Sequence, residues 1–124
     1  MRELVAEGVA EIARDYPVDG VLFDDYFYPY PSAADGWDDS ESYALYGGGA
    51  ESGDFRRANI SELIRLCSEA VHGARDAEAP SCVFGVSPFG IWRNLSLDPR
   101  GSDTRGFSAY DGIYADALEW VRSR

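Results

Sequence analysis

The chain has 124 residues, of which 45% are hydrophobic and 27% are charged, so it has enough apolar material for a folded core and too much for a disordered segment. Its formal net charge is −11, and all eleven basic residues are arginine, so nucleic acid is not expected as a partner. No run approaches the roughly 20 apolar residues of a membrane span, and the first residues lack the continuous apolar core of a signal peptide.

The two cysteines and the one histidine give no sign of metal or redox chemistry. Cys67 lies in a helix pattern and Cys82 in a strand pattern, and neither belongs to a CxxC or Cys/His spacing. We therefore expect two buried free thiols rather than a disulfide or a metal site. His72 stands alone near a predicted helix end and is expected at the surface. No metal and no cofactor are predicted.

The first half of the chain predicts a helix, a strand and a long loop. Apolar residues recur at helical spacing over residues 3–16, and Pro17 ends that pattern. Residues 18–23 read as a strand that is apolar on both faces, which is typical of a parallel sheet covered by helices. Residues 26–53 form an aromatic, irregular stretch. Loops longer than about 12–15 residues are usually functional or disordered, and the aromatic content favours function.

The second half repeats this order. Helical spacing predicts a helix over about residues 54–75, with Asp54 as its N-cap. Residues 82–87 predict a second strand, and residues 88–107 a second irregular loop. The sequence from Ser108 to Asp111 resembles a capping box, which predicts one helix from there to the C-terminus.

The alternation of helices and strands predicts an α/β fold with parallel strands. Short connections enter the strands and long ones leave them, as in a (β/α)8 barrel, whose active site is built from the strand-to-helix loops. An open doubly wound sheet would usually show a glycine-rich phosphate turn, and neither strand is followed by one. Two strands cannot close a barrel. Residues 1–124 are therefore expected to be an internal fragment of one barrel domain, with 26–53 and 88–107 as active-site loops and the missing barrel segments as partners.

Two neighbouring carboxylates are the catalytic candidates. Asp24 and Asp25 lie where the first apolar strand runs into the aromatic loop, a position where burial can tune a carboxyl group. Strand alternation places Leu22 and Asp24 on one face, and Phe23 and Asp25 on the other. Only one aspartate can therefore point into a barrel mouth. The alternative is that both are structural, as N-cap, turn or salt-bridge residues.

Loop residues with flat apolar rings and polar tips suit the mixed C–H and O–H surface of a sugar. A saccharide substrate is the partner that these residues favour. Arg93 could fork onto a substrate carboxylate or onto Asp24 or Asp25. A Ser-His-Asp hydrolase is not favoured, because Ser87 lacks a GxSxG context. The predicted substrate-binding residues are Tyr26, Tyr28, Ser87, Trp92, Arg93 and Asn94.

Three long motifs carry a family resemblance. DGVLFDDYFYPYP (19–31), GVSPFGIWRN (85–94) and GSDTRGFSAYDGIYADALEWV (101–121) closely resemble the glycosyl hydrolase-like 10 family. That family includes bacterial cell-envelope glycosidases associated with peptidoglycan glycan strands. The resemblance implies a (β/α)8 barrel in which this segment spans about the third helix through the fifth. It also implies hydrolysis of a cell-wall polysaccharide, in the cell envelope or outside the cell.

A wider similarity separates the two aspartates. DGVLFDD is similar to the fourth-strand pattern of many barrel glycosidases, whose inward aspartate stands four residues after the glycine, which is Asp24 here. Chitinase-like barrels have a glutamate acid two residues later, and this chain has Tyr26. The similarity implies that Asp24 acts as nucleophile or general acid/base, with Asp25 as the alternate. It leaves the second carboxylate unassigned.

Two rival functions stay open. One is a carbohydrate-binding or degenerate barrel that keeps the aromatic cleft without turnover. The other is a metal-dependent hydrolase that uses Asp24, Asp25 and loop carboxylates such as Asp38 or Asp39. The absence of histidine ligands disfavours the second rival.

Overall fold

A computed structural model describes residues 1–24, 27–30, 36–74 and 81–123 of the chain. The elements in chain order are α1 (Arg2–Asp15), β1 (Gly20–Asp24), α2 (Ser40–Tyr46), α3 (Ser52–Gly73), β2 (Val83–Ser87), α4 (Ala109–Gly112) and α5 (Ala117–Arg122). No helix in these ranges combines the length and the apolar character needed to cross a bilayer.

The chain packs as two compact units, each made of two stretches of sequence. The first unit is Met1–Asp25 with Glu62–Ser87, and the second is Tyr26–Ser61 with Pro88–Arg124. The long helix α3 contributes its first turns to the second unit and the rest to the first.

The first unit contains the two strands. β1 and β2 pair in parallel, in register from Gly20 opposite Val83 to Asp24 opposite Ser87. The intervening chain includes the helix α3, as a parallel connection requires. The predicted α/β fold with parallel strands is confirmed at this level. β1 begins two residues later than the sequence pattern predicts, and β2 begins one residue later.

The two faces of this strand pair differ. Val21, Phe23 and Phe84 pack against the buried core of the unit. On the opposite face Leu22 is 66% exposed and Val83 is 59% exposed. The first unit therefore covers one face of the strand pair with α1 and α3 and leaves the other face open. The buried core consists of Ala6, Val9, Ala13, Cys67, Val71 and Cys82.

The two cysteines lie in this core as free thiols, which confirms the prediction from their positions. Burial raises the pKa of the Cys67 thiol above its usual value, because an apolar core disfavours the thiolate. His72 is exposed, also as predicted, and its Nδ1 lies 2.7 Å from the carbonyl oxygen of Ser68.

The second unit has a core of its own. Its buried apolar residues include Ile60, Ala109, Ile113 and Ala115. Trp120 is also buried, and its Nε1 donates a hydrogen bond of 3.0 Å to Oγ of Ser61. This bond satisfies the indole N–H, which would otherwise be costly to bury.

The prediction of one continuous C-terminal helix is wrong. α4 ends at Gly112, and α5 begins at Ala117. Ser108 Oγ donates to the Asp111 carboxylate at 2.8 Å instead of accepting a backbone N–H, so the predicted capping box is not formed. Between the helices Tyr114 takes a left-handed backbone conformation with φ of 59°, which a helix cannot contain.

The long loop over 26–53 is also more ordered than predicted, because residues 40–46 form α2. The N-cap prediction for Asp54 is wrong as well. α3 begins at Ser52, and Oε2 of Glu51 accepts the backbone N–H groups of Gly53 at 2.8 Å and of Asp54 at 3.3 Å. Asp54 instead pairs with Arg57 at 2.7 Å. The loop over 88–107 contains no helix or strand, as predicted, apart from an isolated bridge between residues 94 and 102.

Candidate active site

The end of the strand pair carries two of the predicted site residues. Asp24 is the last residue of β1 and lies opposite Ser87, the last residue of β2. Both are exposed. Alternation places Asp24 on the face of Leu22, away from the side on which Phe23 packs into the core. The carboxylate is thus on the open face of the strand pair, beside a hydroxyl group. Asp25 and Tyr26, the other two predictions at this point, lie outside the described residues.

The open face has small side chains beside Asp24. Gly85 stands opposite Leu22, and a Cβ atom added at Gly85 would lie 3.2 Å from Leu22 Cδ1. The Leu22 side chain occupies the space beside Gly85, and Ser87 places a small hydroxyl group beside the carboxylate. An exposed carboxylate in such a position can act as nucleophile, base or acid toward a ligand that reaches it.

The second unit gathers an aromatic cluster, consisting of Tyr28, Trp37 and Tyr114. The ring centroids of Tyr28 and Trp37 are 5.0 Å apart, and those of Tyr28 and Tyr114 are 5.2 Å apart. All three rings are partly buried. Burial raises the pKa of the Tyr28 phenol, whose hydroxyl is hydrogen-bonded to the side chain of Asn59. Tyr28, a predicted substrate-binding residue, is therefore held by both its ring and its hydroxyl.

Arg56 of α3 lies at the centre of this cluster. Its Nε and Nη2 donate to the two carboxylate oxygens of Asp39 at 2.9 and 2.7 Å, and its Nη1 donates to Tyr114 Oη at 2.7 Å. The guanidinium carbon lies 4.7 Å from the Trp37 ring centroid and 4.9 Å from that of Tyr114. Arg56 lowers the pKa of Asp39, mainly through its hydrogen bonds, and Asp39 raises the pKa of Arg56.

The pairing of Asp39 bears on the metal-dependent alternative. Both of its oxygens accept from Arg56, so this carboxylate is neutralised within the unit. Asp38 caps the backbone N–H of Ser40 at 2.9 Å. Among the residues that the structure describes, no three histidine, cysteine, aspartate or glutamate side chains form a metal-binding group.

The loop after β2 holds its predicted residues by contacts within the second unit. Trp92 donates from Nε1 to Asp116 Oδ1 at 3.0 Å, and its ring packs on Tyr110. Arg93 lies 3.1 Å from Asp111 and 3.7 Å from Asp98 in two ion pairs. The carboxylate partners of Arg93 in this unit are therefore Asp98 of the loop and Asp111 of α4.

The side chain of Asn94 forms hydrogen bonds with other residues of the same loop. Its Nδ2 donates to the carbonyl oxygen of Gly106 at 2.8 Å, and its Oδ1 accepts from Thr104 Oγ1 at 2.8 Å. The buried Asp98 accepts from Arg100 through both side-chain and backbone donors, and these bonds hold the pKa of its carboxyl far below the usual value. These bonds connect Asn94 and Asp98 to neighbouring parts of the same loop.

A shallow cavity of about 390 Å³ opens beside this loop. Its lining combines the rings of Trp92 and Tyr110 with charged groups that include Arg100, Asp116 and Glu119. Of the predicted binding residues that the structure describes, Trp92 is the one that lines this cavity.

Several residues that organise the second unit were not singled out from the sequence. Arg56 and Tyr114 are the clearest examples, and Asp116 is a third. A weak signal for Arg56 exists: two consecutive arginines lie near the N-terminal end of α3, just after its first turn, where the helix dipole does not favour cations. Tyr114 had no such signal, because its spacing matched a continuing helix.

Comparison with known proteins adds to the motif analysis. The sequence model of the Glycosyl hydrolase-like 10 family matches residues 1–124. Glycosyl hydrolase DigH of Escherichia coli (strain K12) is 47% identical over 122 residues, covering 98% of this chain and 27% of that protein. Glycosyl hydrolase YngK of Bacillus subtilis (strain 168) is 39% identical over 124 residues, covering 98% of this chain and 24% of that protein.

The chain therefore spans about a quarter of the length of these curated relatives. The family match covers the three motifs at 19–31, 85–94 and 101–121 together with the residues between them, and it confirms the resemblance that those motifs carry. The chain belongs to the Glycosyl hydrolase-like 10 family.

Proposed function

We propose that the protein carrying this chain hydrolyses glycosidic bonds in a cell-wall polysaccharide, with peptidoglycan glycan strands as substrate. Its family membership and the names of its relatives support a glycosidase-like role. The observation that carries the proposal is the position of Asp24, at the carboxyl end of a parallel strand and on the face that the helices leave open.

This position fits a (β/α)8 barrel. In such a barrel the helices cover the outside of the strands, and the active site forms at their carboxyl ends. α1 and α3 cover one face of β1 and β2, and Leu22 and Val83 on the other face are exposed within this chain. We propose that further strands of the longer protein close the barrel around that open face, and that the loops after β1 and β2 line its mouth.

The proposed chemistry needs two carboxyl groups, about 5–5.5 Å apart for retention of configuration or 6.5–9.5 Å apart for inversion. Asp24 supplies one of them, as nucleophile or general acid/base. Its neighbour across the strands is Ser87, which cannot replace a carboxyl group in this role. The second carboxyl group then comes from Asp25 or from the remainder of the protein, and this chain alone should be inactive. Peptidoglycan lies outside the cytoplasmic membrane, so we place the protein in the cell envelope or outside the cell.

Asp24→Asn in the full-length protein tests the proposal. We expect kcat on peptidoglycan glycan strands to fall by about 10²–10⁴-fold, measured as new reducing ends and as fragments in mass spectrometry. Asp19→Asn is the matched control, because Asp19 is an exposed aspartate just before the amino end of the same strand. Turnover that survives Asp24→Asn would remove Asp24 from the mechanism.

The register of Asp24 with Ser87, rather than with a carboxylate, favours one alternative function. A degenerate barrel would bind the same saccharides without cleaving them. Wild-type protein that binds glycan strands and releases no product over prolonged incubation would establish this alternative in place of hydrolysis.

A further inference from the structure

Arg56 and the aromatic cluster point to a role that is separate from that of the strand-end carboxylate Asp24. Resting on the proposed saccharide substrate, we infer that Arg56 is a positioning residue that holds the aromatic cluster in a glycan-binding arrangement.

The contacts of Arg56 join separate parts of the second unit. The guanidinium binds Asp39, the residue just before α2, and Tyr114 in the break between α4 and α5. It also lies over the rings of Trp37 and Tyr114. A planar fork with five donors suits this combination of a bidentate carboxylate contact and ring stacking, and a lysine ammonium does not reproduce it.

The backbone of Tyr114 leaves the helical path just after the end of α4. A tyrosine with φ of 59° occupies a region that bulky side chains rarely adopt, and such conformations persist where surrounding contacts hold them. The backbone N–H of Ala115 closes this turn by donating to the carbonyl oxygen of Ala109 at 3.0 Å. The hydrogen bond from Arg56 and the packing on Tyr28 and Trp37 then hold the Tyr114 ring.

Arg56 acts through the rings and does not itself contact the substrate. Each of its three guanidinium nitrogens is bonded within the unit, and its side chain is only 21% exposed. The rings of the cluster are partly buried and carry polar tips, which suits them to a sugar surface. Ordering them before the ligand arrives lowers the entropic cost of binding, so removal of Arg56 should weaken affinity more than turnover.

The test uses Arg56→Met and Arg56→Lys in the full-length protein. We expect KM for glycan strands to rise by about tenfold in both variants, with kcat within about twofold of wild type. Tyr114→Phe removes one of the bonds to Arg56 and keeps the ring, so a smaller rise is expected. Arg65→Met is the matched control, because Arg65 on the same helix also pairs with two carboxylates but belongs to no ring cluster, and its KM should not change.

Binding measured separately in the Asp24→Asn background distinguishes this inference from the proposed function. If Asp24 proves dispensable for turnover while Arg56→Met still weakens glycan binding, the proposed mechanism fails and the positioning role stands. Equal affinities in Arg56→Lys and Arg65→Met would overturn the positioning role. The positioning role would also be overturned if Arg56→Lys or Tyr114→Phe lowered the unfolding midpoint and left the affinity for glycan strands unchanged. These two milder variants carry the test if Arg56→Met does not fold.

Discussion

Asp39→Asn should lower the free energy of unfolding by about 2 kcal/mol at neutral pH, because it removes one charge from a well-ordered ion pair. Asp39 and Arg56 share two hydrogen bonds of 2.9 and 2.7 Å, and their side chains are 16% and 21% exposed. Exposed pairs contribute about 0.2–1 kcal/mol, and loss of one partner in a buried pair costs about 3–5 kcal/mol. This pair lies between those limits, and asparagine retains one acceptor oxygen for Arg56.

The cost of this substitution should depend on pH. Arg56 lowers the pKa of Asp39 in the folded protein below its value in the unfolded chain, which is about 4. A carboxyl group of this kind stabilises the fold fully above its unfolded pKa, and the contribution is lost as the pH falls through the folded value. The difference between wild type and Asp39→Asn should therefore be constant near neutral pH and should shrink below about pH 4.

Urea denaturation followed by tryptophan fluorescence measures both effects, since Trp37 stacks against the guanidinium of Arg56. Glu62→Gln is the control, because Glu62 forms an exposed pair with Arg65 on α3 and its loss should hardly move the midpoint. Equal shifts for the two substitutions, or a cost of Asp39→Asn that is the same at pH 7 and pH 3, would refute the reasoning.

Three further substitutions and one control test the packing of the two units by the same denaturation measurement. Val71→Ala removes two buried carbons from the core and should lower the free energy of unfolding by about 2 kcal/mol. Its control, Val121→Ala at an exposed position, should lower it by less than about 0.5 kcal/mol. Equal losses would contradict the assigned core. Gly101→Ala would place a Cβ atom against the backbone carbonyl of Arg93 and should cost about 1–3 kcal/mol, so an unchanged midpoint would show that the loop can shift at no cost. Asp116→Ala removes both the side-chain cap of α5 and the acceptor of the Trp92 indole N–H, and it should cost about 1–3 kcal/mol. Full stability would mean that neither contact is needed.

The regular elements of the first unit could be predicted because local patterns determine them. The helical spacing before Pro17 gave α1, and two short apolar runs gave β1 and β2. Strand alternation alone predicted that Asp24 and Phe23 would lie on opposite faces, and Phe23 packs into the helix-covered core. The parallel pairing followed from the order of helices and strands.

The second unit could not be predicted in the same way, because its conformation depends on contacts between distant residues. The side chain of Tyr114, at the helix break, is bonded to Arg56, which lies 58 positions earlier in the chain. The chain has 22 acidic residues, so many carboxylates were possible ion-pair partners of Arg93. Its actual partners, Asp98 and Asp111, depend on how the loop folds. Spacing along the sequence contains neither kind of information.

The separation of the chain into two packing units affects where its sequence can change without loss of the fold. The strand pair and its helical cover draw on residues 1–25 and 62–87, and the loops that follow each strand form a core of their own around Ile113 and Trp120. Insertions or replacements in those loops can then be tolerated without disturbing the framework that holds Asp24. We therefore expect sequence change to be accommodated more readily at exposed loop positions of the second unit than in the buried core of the first.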